Sequence, residues 1–510
     1  RKKLPETMPI HRVVFHEITK SAILEAIQNP RDIDMQLVDA YLARRTLDYL
    51  VGFSISPLLW RSLPGAKSAG RVQSVALRLV CEREDEITAF VPQEYWTVGA
   101  NLITPNEEKF SAKLTHLKGE KLTKFDLNNE TTAKEAEELV KNAAFKVATI
   151  ERKQTKRNPA PAFTTSTIQQ EASRKLGFSA KKTMQLAQNL YEGVDIGGET
   201  VGLITYMRTD SVALSTEATT AIRSLIEKEY GQDFLPEKPR IYKNNSKNAQ
   251  EAHEAIRPTN VMRTPESIAA YLSADQRKLY ELIWKRTVAS QMQSAVLDKV
   301  GIDILAEDGS VQLRATGQTI AFAGFIKVYK EDVDEKNQDD DDKMLPPMNE
   351  GDPLKTDSIL TEQHFTEPPA RFSEASLVKK LEELGIGRPS TYATILSVLQ
   401  ERAYVKLVAK KFIPEDRGKI VTAFLENYFT KYVQYDYTAQ MENKLDDITQ
   451  GLLQWKNVLH DFWNQFDSTV KAVPQKMTDI LETVSKALET QLFPSAAWRC
   501  LHHQYPPAGR

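Results

Sequence analysis

The sequence has little cysteine, no long apolar run and almost no net charge. Cys81 and Cys500 are the only cysteines among 510 residues, which excludes a disulfide framework and a four-cysteine zinc site within this chain. No apolar run approaches the ~20 residues of a membrane span, and no signal-peptide pattern opens the chain, so we expect a cytoplasmic protein without a membrane partner. No Gly-x-x-x-x-Gly-Lys-Ser/Thr loop occurs, so no phosphate loop for ATP is predicted.

The net charge of -2 averages over uneven stretches. Residues 331–342 carry eight acidic residues and one lysine, and we interpret 331–344 as an acidic linker. Between Lys146 and Lys182 there are nine Lys or Arg and two Glu. Local excess of one sign matters more than the sum when the partner is a polyanion, so a nucleic-acid partner is compatible with this composition.

The segment Gly202–Ser211 (Gly-Leu-Ile-Thr-Tyr-Met-Arg-Thr-Asp-Ser) combines β-branched and chemically active residues. We predict a strand over 201–207, in which Tyr206, Arg208 and Asp210 share one face because side chains alternate. Because the phenol of Tyr206 would lie beside the permanent cation of Arg208, Tyr206 is a candidate nucleophile. The alternative is a packing role, since the chain has 17 tyrosines and polar clusters at strand ends are common.

Two helical stretches near the start carry further candidate residues. Asp34 is a predicted cap for a helix whose apolar stripe includes Tyr41 and Leu47, and Arg44, Arg45 and Asp48 fall mainly off that stripe, as on a solvated face. Residues 68–73 (Ser-Ala-Gly-Arg-Val-Gln) follow. With Ser68 as N-cap, the helix start and Arg71 form a candidate phosphate site; a capped structural helix is the alternative.

The remaining patterns predict an α+β multidomain fold, mostly helical, with one β-rich domain split in sequence. We assign 92–154 plus 293–330 to the β-rich domain, with strand texture continuing over 312–328, and 155–292 to a helical insertion that carries Tyr206. Residues 34–91 plus 345–491 form a helical body, within which 374–418 reads as helix, turn, helix and hairpin, typical of a winged helix. Residues 252–259 (Ala-His-Glu-Ala-Ile-Arg-Pro-Thr) lack the second histidine of a zinc-hydrolase motif.

Five motifs taken together resemble one family. They are residues 43–45 (Ala-Arg-Arg), 68–74 (Ser-Ala-Gly-Arg-Val-Gln-Ser), 204–211 (Ile-Thr-Tyr-Met-Arg-Thr-Asp-Ser), 252–259 and 387–392 (Gly-Arg-Pro-Ser-Thr-Tyr). In this order they resemble the bacterial type IA DNA topoisomerases over about residues 12–492. The resemblance implies a toroidal core in which the β-rich domain is an arch or hinge and 155–292 is a gate. We call these units the arch, the gate and the body.

The resemblance also implies residue roles. Tyr206 corresponds to the nucleophile that becomes joined to a 5′-phosphate, Arg208 to the cation that stabilises the scissile phosphate, His253 to the active-site histidine and Arg12 to an active-site arginine. The implied contacts with single-stranded DNA are Arg44, Arg45, Asp48, Phe53 (stacking), Trp60, Ser68, Ala69, Gly70, Arg71, Val72, Gln73 and Arg208, with Thr391 and a loop over 418–420 that includes Ile420 as looser matches.

For cofactors and partners the resemblance implies Mg²⁺ held by an N-terminal Toprim domain, no ATP, and DNA that is single-stranded or negatively supercoiled. We interpret residues 1–33 as the end of that domain and expect neither metal ligands nor zinc in this chain, which would impair cleavage by it alone. We further expect a monomer that is nucleoid-associated, and a non-native tail over 493–510. The alternatives are a winged-helix protein that only binds DNA, and a tyrosine recombinase.

Overall fold

The residues that the structure describes pack around three separate hydrophobic clusters, which correspond to body, gate and arch. The computed structural model describes residues 9–63, 65–243, 254–331 and 344–492. The acidic linker and the predicted non-native tail lie almost wholly outside these ranges. Within them, helices and one large antiparallel sheet confirm the α+β multidomain class. In the described part of the chain, no helix has both the length and the apolar character needed to cross a bilayer.

The helices begin mostly at Ser, Thr, Asp or Asn residues whose side chains accept a backbone N–H of the first turn. In chain order they are α1 (Lys20–Gln28), α2 (Met35–Ser62), α3 (Arg71–Ala89), α4 (Glu130–Asn142), α5 (Thr165–Glu171), α6 (Ala180–Glu192), α7 (Thr216–Tyr230), α8 (Ala274–Ser290), α9 (Glu374–Glu383), α10 (Tyr392–Glu401), α11 (Asp416–Tyr428), α12 (Tyr435–Thr449), α13 (Trp455–Ala472) and α14 (Met477–Leu492).

The strands are β1 (Glu94–Ile103), β2 (Lys109–Leu117), β3 (Glu120–Lys121), β4 (Phe145–Arg157), β5 (Val194–Ile196), β6 (Glu199–Val201), β7 (Ala295–Ala306), β8 (Val311–Phe322), β9 (Pro353–Phe365), β10 (Val405–Val408) and β11 (Lys411–Pro414). The arch is the sheet β1-β9-β4-β7-β8-β2-β3, and α4 covers one face of it. Strands β4 and β7 enter and leave the gate side by side.

Two expectations for the arch are wrong in detail. Strand β9 pairs with β1 along most of its length, so 353–365 belongs to the sheet and not to the body. Its alternating, largely exposed side chains gave no apolar signal, and only the pairing with β1 reveals it. The strand predicted to reach residue 328 ends at Phe322, because Gly324 has φ +48° and begins a short 3₁₀ turn over Gly324–Lys327.

The body packs α2 and α3 against α9 to α14 in one cluster. Helices α9 and α10 with the β10–β11 hairpin form the helix, turn, helix and hairpin that the sequence predicted. The gate has a cluster of its own, built from α5 to α8 and the segment after β6. The sequence segment with Tyr206 therefore lies in the gate, and the predicted DNA contacts of α2 lie in the body.

Candidate active site and nucleic-acid interface

The segment that carries Tyr206 is extended but belongs to no sheet. Strand β6 ends at Val201, so the strand predicted over 201–207 is wrong as a regular element. Several other parts of the chain supply its hydrogen-bond partners: Gly202 N–Ile18 O 3.0 Å, Leu203 N–Leu190 O 2.7 Å, Thr205 N–Arg257 O 2.9 Å and Tyr206 N–His16 O 2.7 Å. Sequence periodicity shows an extended backbone but not which segments it pairs with.

The predicted alternation of side chains is nevertheless present. Leu203, Thr205 and Met207 are buried, whereas Tyr206 and Asp210 are partly exposed and Arg208 is exposed. The buried set anchors the segment in the gate cluster. The Tyr206 phenol and the Arg208 guanidinium therefore lie on the accessible side of the segment, whose buried side chains fix its backbone.

The first turn of α5 fixes the end of this segment. The Thr165 hydroxyl donates to the Met207 carbonyl at 2.7 Å and accepts the Thr209 N–H at 2.8 Å, and the Thr165 N–H donates to the Thr209 carbonyl at 2.9 Å. Thr165 is fully buried. The backbone on both sides of Arg208 is therefore held by one side chain, which reduces the freedom of the cation.

A second tyrosine lies against Tyr206. The rings of Tyr191 and Tyr206 meet edge to face with centroids 5.2 Å apart. Burial raises the pKa of Tyr191, and the proximity of Tyr206 raises it further. Tyr191 therefore stays protonated at neutral pH and acts as a packing wall for the Tyr206 ring.

An ionic cluster that the sequence analysis did not assign lies beside the Tyr206 backbone. Arg257 donates to Glu254 at 2.5 Å and pairs with Glu17 at 3.1 Å. Burial would raise the pKa of Glu254, but the Arg257 guanidinium outweighs it and lowers that pKa, so the pair is charged. Burial lowers the pKa of His16, and Glu254 offsets only part of this. The signals were in the sequence, since Glu254 and Arg257 lie within the segment 252–259 that contains His253.

Arg208 lines a cleft of about 250 Å³ between the gate helix α6 and the body helix α10. Lys181 of α6 and Ser390, in the turn before α10, line the same cleft. Arg208, Lys181 and the Ser390 hydroxyl can contact a phosphate at this opening, and Glu401, which also lines the cleft, pairs with Lys181 at 3.4 Å. The phosphate role that the resemblance implies for Arg208 stays a prediction.

Arg12 and His253 are the other two predicted catalytic residues. Arg12 is exposed, and its backbone pairs with that of Arg31 at 2.7 and 2.8 Å, four residues before His16. His253 lies outside the described residues. Within the ranges that are described, no three His, Cys, Asp or Glu side chains come together as a metal site would require.

One face of α2 presents aromatic rings and a cation. Phe53 and Trp60, both predicted DNA contacts, are exposed, and so are Tyr41 and Tyr49. The side chain of Arg45 donates hydrogen bonds to both tyrosine hydroxyls. Placing Tyr41 on the apolar stripe was wrong, because the helix buries the face that contains Leu47 and leaves Tyr41 outside.

Arg44 and Arg71 do not extend freely into solvent. Glu442 of α12 is fully buried and accepts from Arg44 at 2.7 Å and from Arg71, while Arg388 approaches it at 3.6 Å. Arg71 also pairs with Asp48 at 3.4 Å. The solvated face predicted for Arg44 and Asp48 is thus wrong in part, and Arg71 is a buried ion-pair residue and not an open phosphate site.

The segment 68–73 leads into α3 in a different way from that expected. The N-cap of α3 is Gly70, which makes no side-chain cap, so the prediction for Ser68 is wrong. The backbone N–H groups of Lys67 and Ser68 instead donate to the Tyr404 hydroxyl, both at 2.9 Å. Of the other predicted contacts, Ala69 is buried, Val72 packs partly against the body cluster, and Gln73 is partly exposed and donates to the Ser68 carbonyl at 3.4 Å.

The two looser matches have mainly structural surroundings. The Thr391 hydroxyl accepts the Arg388 N–H and donates to the Arg388 carbonyl, each at 2.9 Å, which fixes the turn before α10. Ile420 packs against the body cluster. The loop predicted over 418–420 is wrong, since these residues lie inside α11, where Gly418 lets the helix approach the Tyr404 carbonyl.

The chain is similar to known proteins both in sequence and in structure. The family model described as DNA topoisomerase matches residues 32–460. DNA topoisomerase 1 of Rickettsia felis is 59% identical over 483 residues, which is 94% of this chain and 62% of that protein; that of Xylella fastidiosa (strain Temecula1) is 52% identical over 91% of this chain and 57% of the relative. A solved structure of full-length topoisomerase I from Thermotoga maritima has a TM-score of 0.77 and 39% identity, and the match covers 90% of this chain and 73% of that one. The chain spans about three fifths of the two relatives' length.

Proposed function

Because the chain belongs to the bacterial DNA topoisomerase I family, we propose that it cuts one DNA strand with Tyr206 and rejoins it without ATP. The observation that carries this proposal is the arrangement of the segment 202–209. Its buried side chains and its backbone are fixed by several neighbouring segments, while Tyr206 and Arg208 share the accessible face. A nucleophile and a cation are thereby pre-positioned for one phosphate.

In the proposed step the Tyr206 oxygen attacks phosphorus, and the bond from phosphorus to the 3′-oxygen breaks. The phenol gives up its proton, the leaving 3′-oxygen gains one, and the protein remains joined to the 5′-phosphate. A free phenol has a pKa near ~10, so a fixed cation such as Arg208 lowers the cost of the developing negative charge. The diester bond is conserved in the intermediate, and rejoining therefore requires no nucleotide.

DNA is held, in this proposal, at the cleft beside Arg208 and along α2. The cleft offers Arg208 and Lys181 to phosphates, and α2 offers exposed rings to bases. Binding to single strands should weaken as salt rises, because phosphate contacts release counterions. Relaxation of negatively supercoiled DNA, action as a monomer and a nucleoid location extend this proposal to the whole protein.

The Mg²⁺ requirement that the resemblance implies stays a prediction. The described residues do not fit such an ion, since no three potential ligands come together among them. Carboxylates near Tyr206, such as Glu254, are already occupied by Arg257. No step above is therefore assigned to a metal.

The test is covalent capture of a labelled single-stranded oligonucleotide, with Mg²⁺ present, on a denaturing gel. The unaltered chain should give an adduct through the 5′-phosphate, in low yield because the resemblance places the metal ligands in the Toprim domain and not in this chain, and Tyr206→Phe should give none. Tyr191→Phe is the matched control, because it changes the neighbouring ring by the same one atom and should retain the adduct. An adduct in Tyr206→Phe would refute Tyr206 as the nucleophile, and a 3′-linked adduct would refute the proposed linkage to the 5′-phosphate. Absence of any adduct from the unaltered chain would favour a protein that only binds DNA.

A further inference from the structure

We propose that Tyr41 and Tyr49 form an additional stacking site for unpaired nucleotides on α2, with Arg45 held between them as its phosphate contact. The proposal rests on the proposed function, since it concerns how the same DNA strand is held. The family resemblance accounts for Arg45 and Phe53 but assigns no role to the two tyrosines. Together the four residues form what we call the α2 ladder.

The spacing of the α2 ladder places all four side chains on one side of the helix. Tyr41, Arg45, Tyr49 and Phe53 follow one another at intervals of four residues, and such residues are neighbours on a helix surface. The rings of Tyr49 and Phe53 lie 5.5 Å apart between centroids. The Arg45 guanidinium lies 5.4 Å from the centre of the Tyr49 ring. Rings and cation therefore form one continuous surface.

This surface is unusually open for its composition. Tyr41, Tyr49 and Phe53 are 59%, 49% and 73% exposed. A contiguous apolar patch of this kind, with polar groups among the rings, is typical of a binding site. The adjoining Trp60 is also exposed, and its indole N–H donates to the Lys67 carbonyl, so the patch continues towards the start of α3.

Arg45 is positioned by the two tyrosines and keeps donors for a ligand. Its Nη1 donates to the Tyr41 hydroxyl at 3.3 Å, and its Nε and Nη2 donate to the Tyr49 hydroxyl at 3.3 and 3.1 Å. A guanidinium has five N–H donors, so two remain for a phosphate. The side chain is exposed, and the two hydroxyls limit its freedom before a ligand binds.

The composition identifies the occupant as an unpaired strand. Flat rings stack on any exposed base, whereas the bases of a duplex have no free faces, and a guanidinium between rings matches the phosphates that join successive bases. From Tyr41 to Phe53 the helix rises about 18 Å. That distance matches roughly five nucleotides at the ~3.4 Å spacing of a stacked strand.

The test compares the affinity of single tyrosine variants for labelled oligothymidine by fluorescence anisotropy. Tyr41→Ala and Tyr49→Ala should each weaken binding of an oligonucleotide of roughly 12 nucleotides by about tenfold, because each loses one stacked base. A strand of roughly four nucleotides, within the smallest site of such surfaces, should lose less, since it can stay at Phe53. A general loss of structure would instead weaken the binding of both oligonucleotides to the same extent.

Two further variants separate the parts of the proposal. Tyr49→Phe keeps the ring but removes the hydroxyl that holds Arg45, so it should keep most of the affinity. The affinity falls as salt rises, and Arg45→Ala should make this dependence less steep. The slope of log affinity against log salt should become smaller in magnitude by about 0.7, as expected for the loss of one phosphate contact. Tyr271→Ala, at a tyrosine of the gate that is 45% exposed, is the control and should bind as the unaltered chain does.

The outcomes discriminate this inference from the proposed function. If the unaltered chain binds the longer strand and both alanine variants bind it equally well, the α2 ladder is overturned while the proposed function stands. If the unaltered chain binds neither strand, both fail. If the tyrosine variants instead change the elution volume of the free chain, the face is an interface between two copies, which also overturns the inference. Matching thermal unfolding curves confirm that the variants are folded.

Discussion

Replacing Glu442 with Gln should loosen the body without touching any exposed residue. Glu442 is fully buried on α12, yet it is the common partner of Arg44, Arg71 and Arg388, which come from α2, α3 and the turn before α10. Gln keeps the size of the side chain and removes only its charge. Arg71, itself buried, would then retain only the partly exposed Asp48 as a counter-ion.

The expected loss follows from the pKa of the buried carboxyl. Burial would raise the pKa of Glu442, but the charges of Arg71, Arg44 and Arg388 outweigh burial and lower it from 4.5 to about 2. At about 1.4 kcal/mol for each tenfold change in acidity, this corresponds to about 3 kcal/mol of stabilisation. Breaking a buried ion pair by removing one partner costs ~3–5 kcal/mol, which agrees.

The contribution of Glu442 to stability should decrease as the pH falls. Because the folded pKa is the lower one, the contribution of Glu442 is fully present above the unfolded value of 4.5 and is lost as the pH falls towards about 2. The difference in stability between the unaltered chain and Glu442→Gln should therefore be constant from about pH 7 to about pH 5 and shrink below that.

Hydrogen exchange read by mass spectrometry measures the effect where it should occur. Peptides from α2, α3 and α12 should exchange faster in Glu442→Gln at neutral pH, and thermal unfolding down to about pH 4 should show the narrowing difference. Glu401→Gln is the matched control, because Glu401 is exposed and its pair with Lys181 at 3.4 Å is expected to contribute less than ~1 kcal/mol. Equal exchange in the unaltered chain and Glu442→Gln would refute the reasoning.

Two further substitutions test the neighbourhood of the nucleophile. In Gly202→Ala the new Cβ would lie 2.7 Å from the Tyr191 carbonyl oxygen and 2.9 Å from that of Ile18; we expect a lower melting temperature, a loss of about 1–3 kcal/mol and a reduced adduct yield, and an unchanged yield would contradict this. Glu374→Ala removes the carboxylate that accepts the Ala180 N–H at 2.5 Å. Faster hydrogen exchange at the start of α6 is expected there, but not in the exposed control Glu383→Ala, and equal exchange in both would count against the contact.

Sequence patterns located what depends on local spacing. The alternation in 202–210 gave the correct face for Tyr206 and Arg208, and the apolar periodicity of 374–400 gave α9 and α10. Cap residues were found where a side chain serves its own helix, as Asp34 does for α2. Ser68 has the same composition signal, but α3 begins at Arg71 with Gly70 as its N-cap, so Ser68 lies two residues before the cap position.

What could not be predicted depends on partners far apart in the chain. Glu442 lies in a helix whose sequence has an ordinary amphipathic pattern. Its hydrogen bond with Arg44 joins two residues that are 398 positions apart in the chain. Without that link, Arg44 and Arg71 read as free cations. Likewise, β9 has no apolar run of its own, and its membership of the arch follows only from pairing with β1. Charge and periodicity indicate what a residue can do, while the fold decides which residue it meets.

The gate and the body have separate cores, and polar contacts join them near the nucleophile. Within the described residues the two hydrophobic clusters share no member, and Ala180 is the one gate residue packed in the body cluster. The polar links are Ser166 to Glu382 at 2.5 Å, the Ala180 N–H to Glu374 at 2.5 Å, and Lys181 to Glu401 at 3.4 Å. Such hydrogen bonds exchange for bonds to water on separation, at a net cost of about 1 kcal/mol each, whereas dividing a shared core would expose apolar surface at about 25 cal/mol per Å². Separating the gate from the body would therefore leave the two clusters intact apart from Ala180, as the strand passage in the proposed function requires.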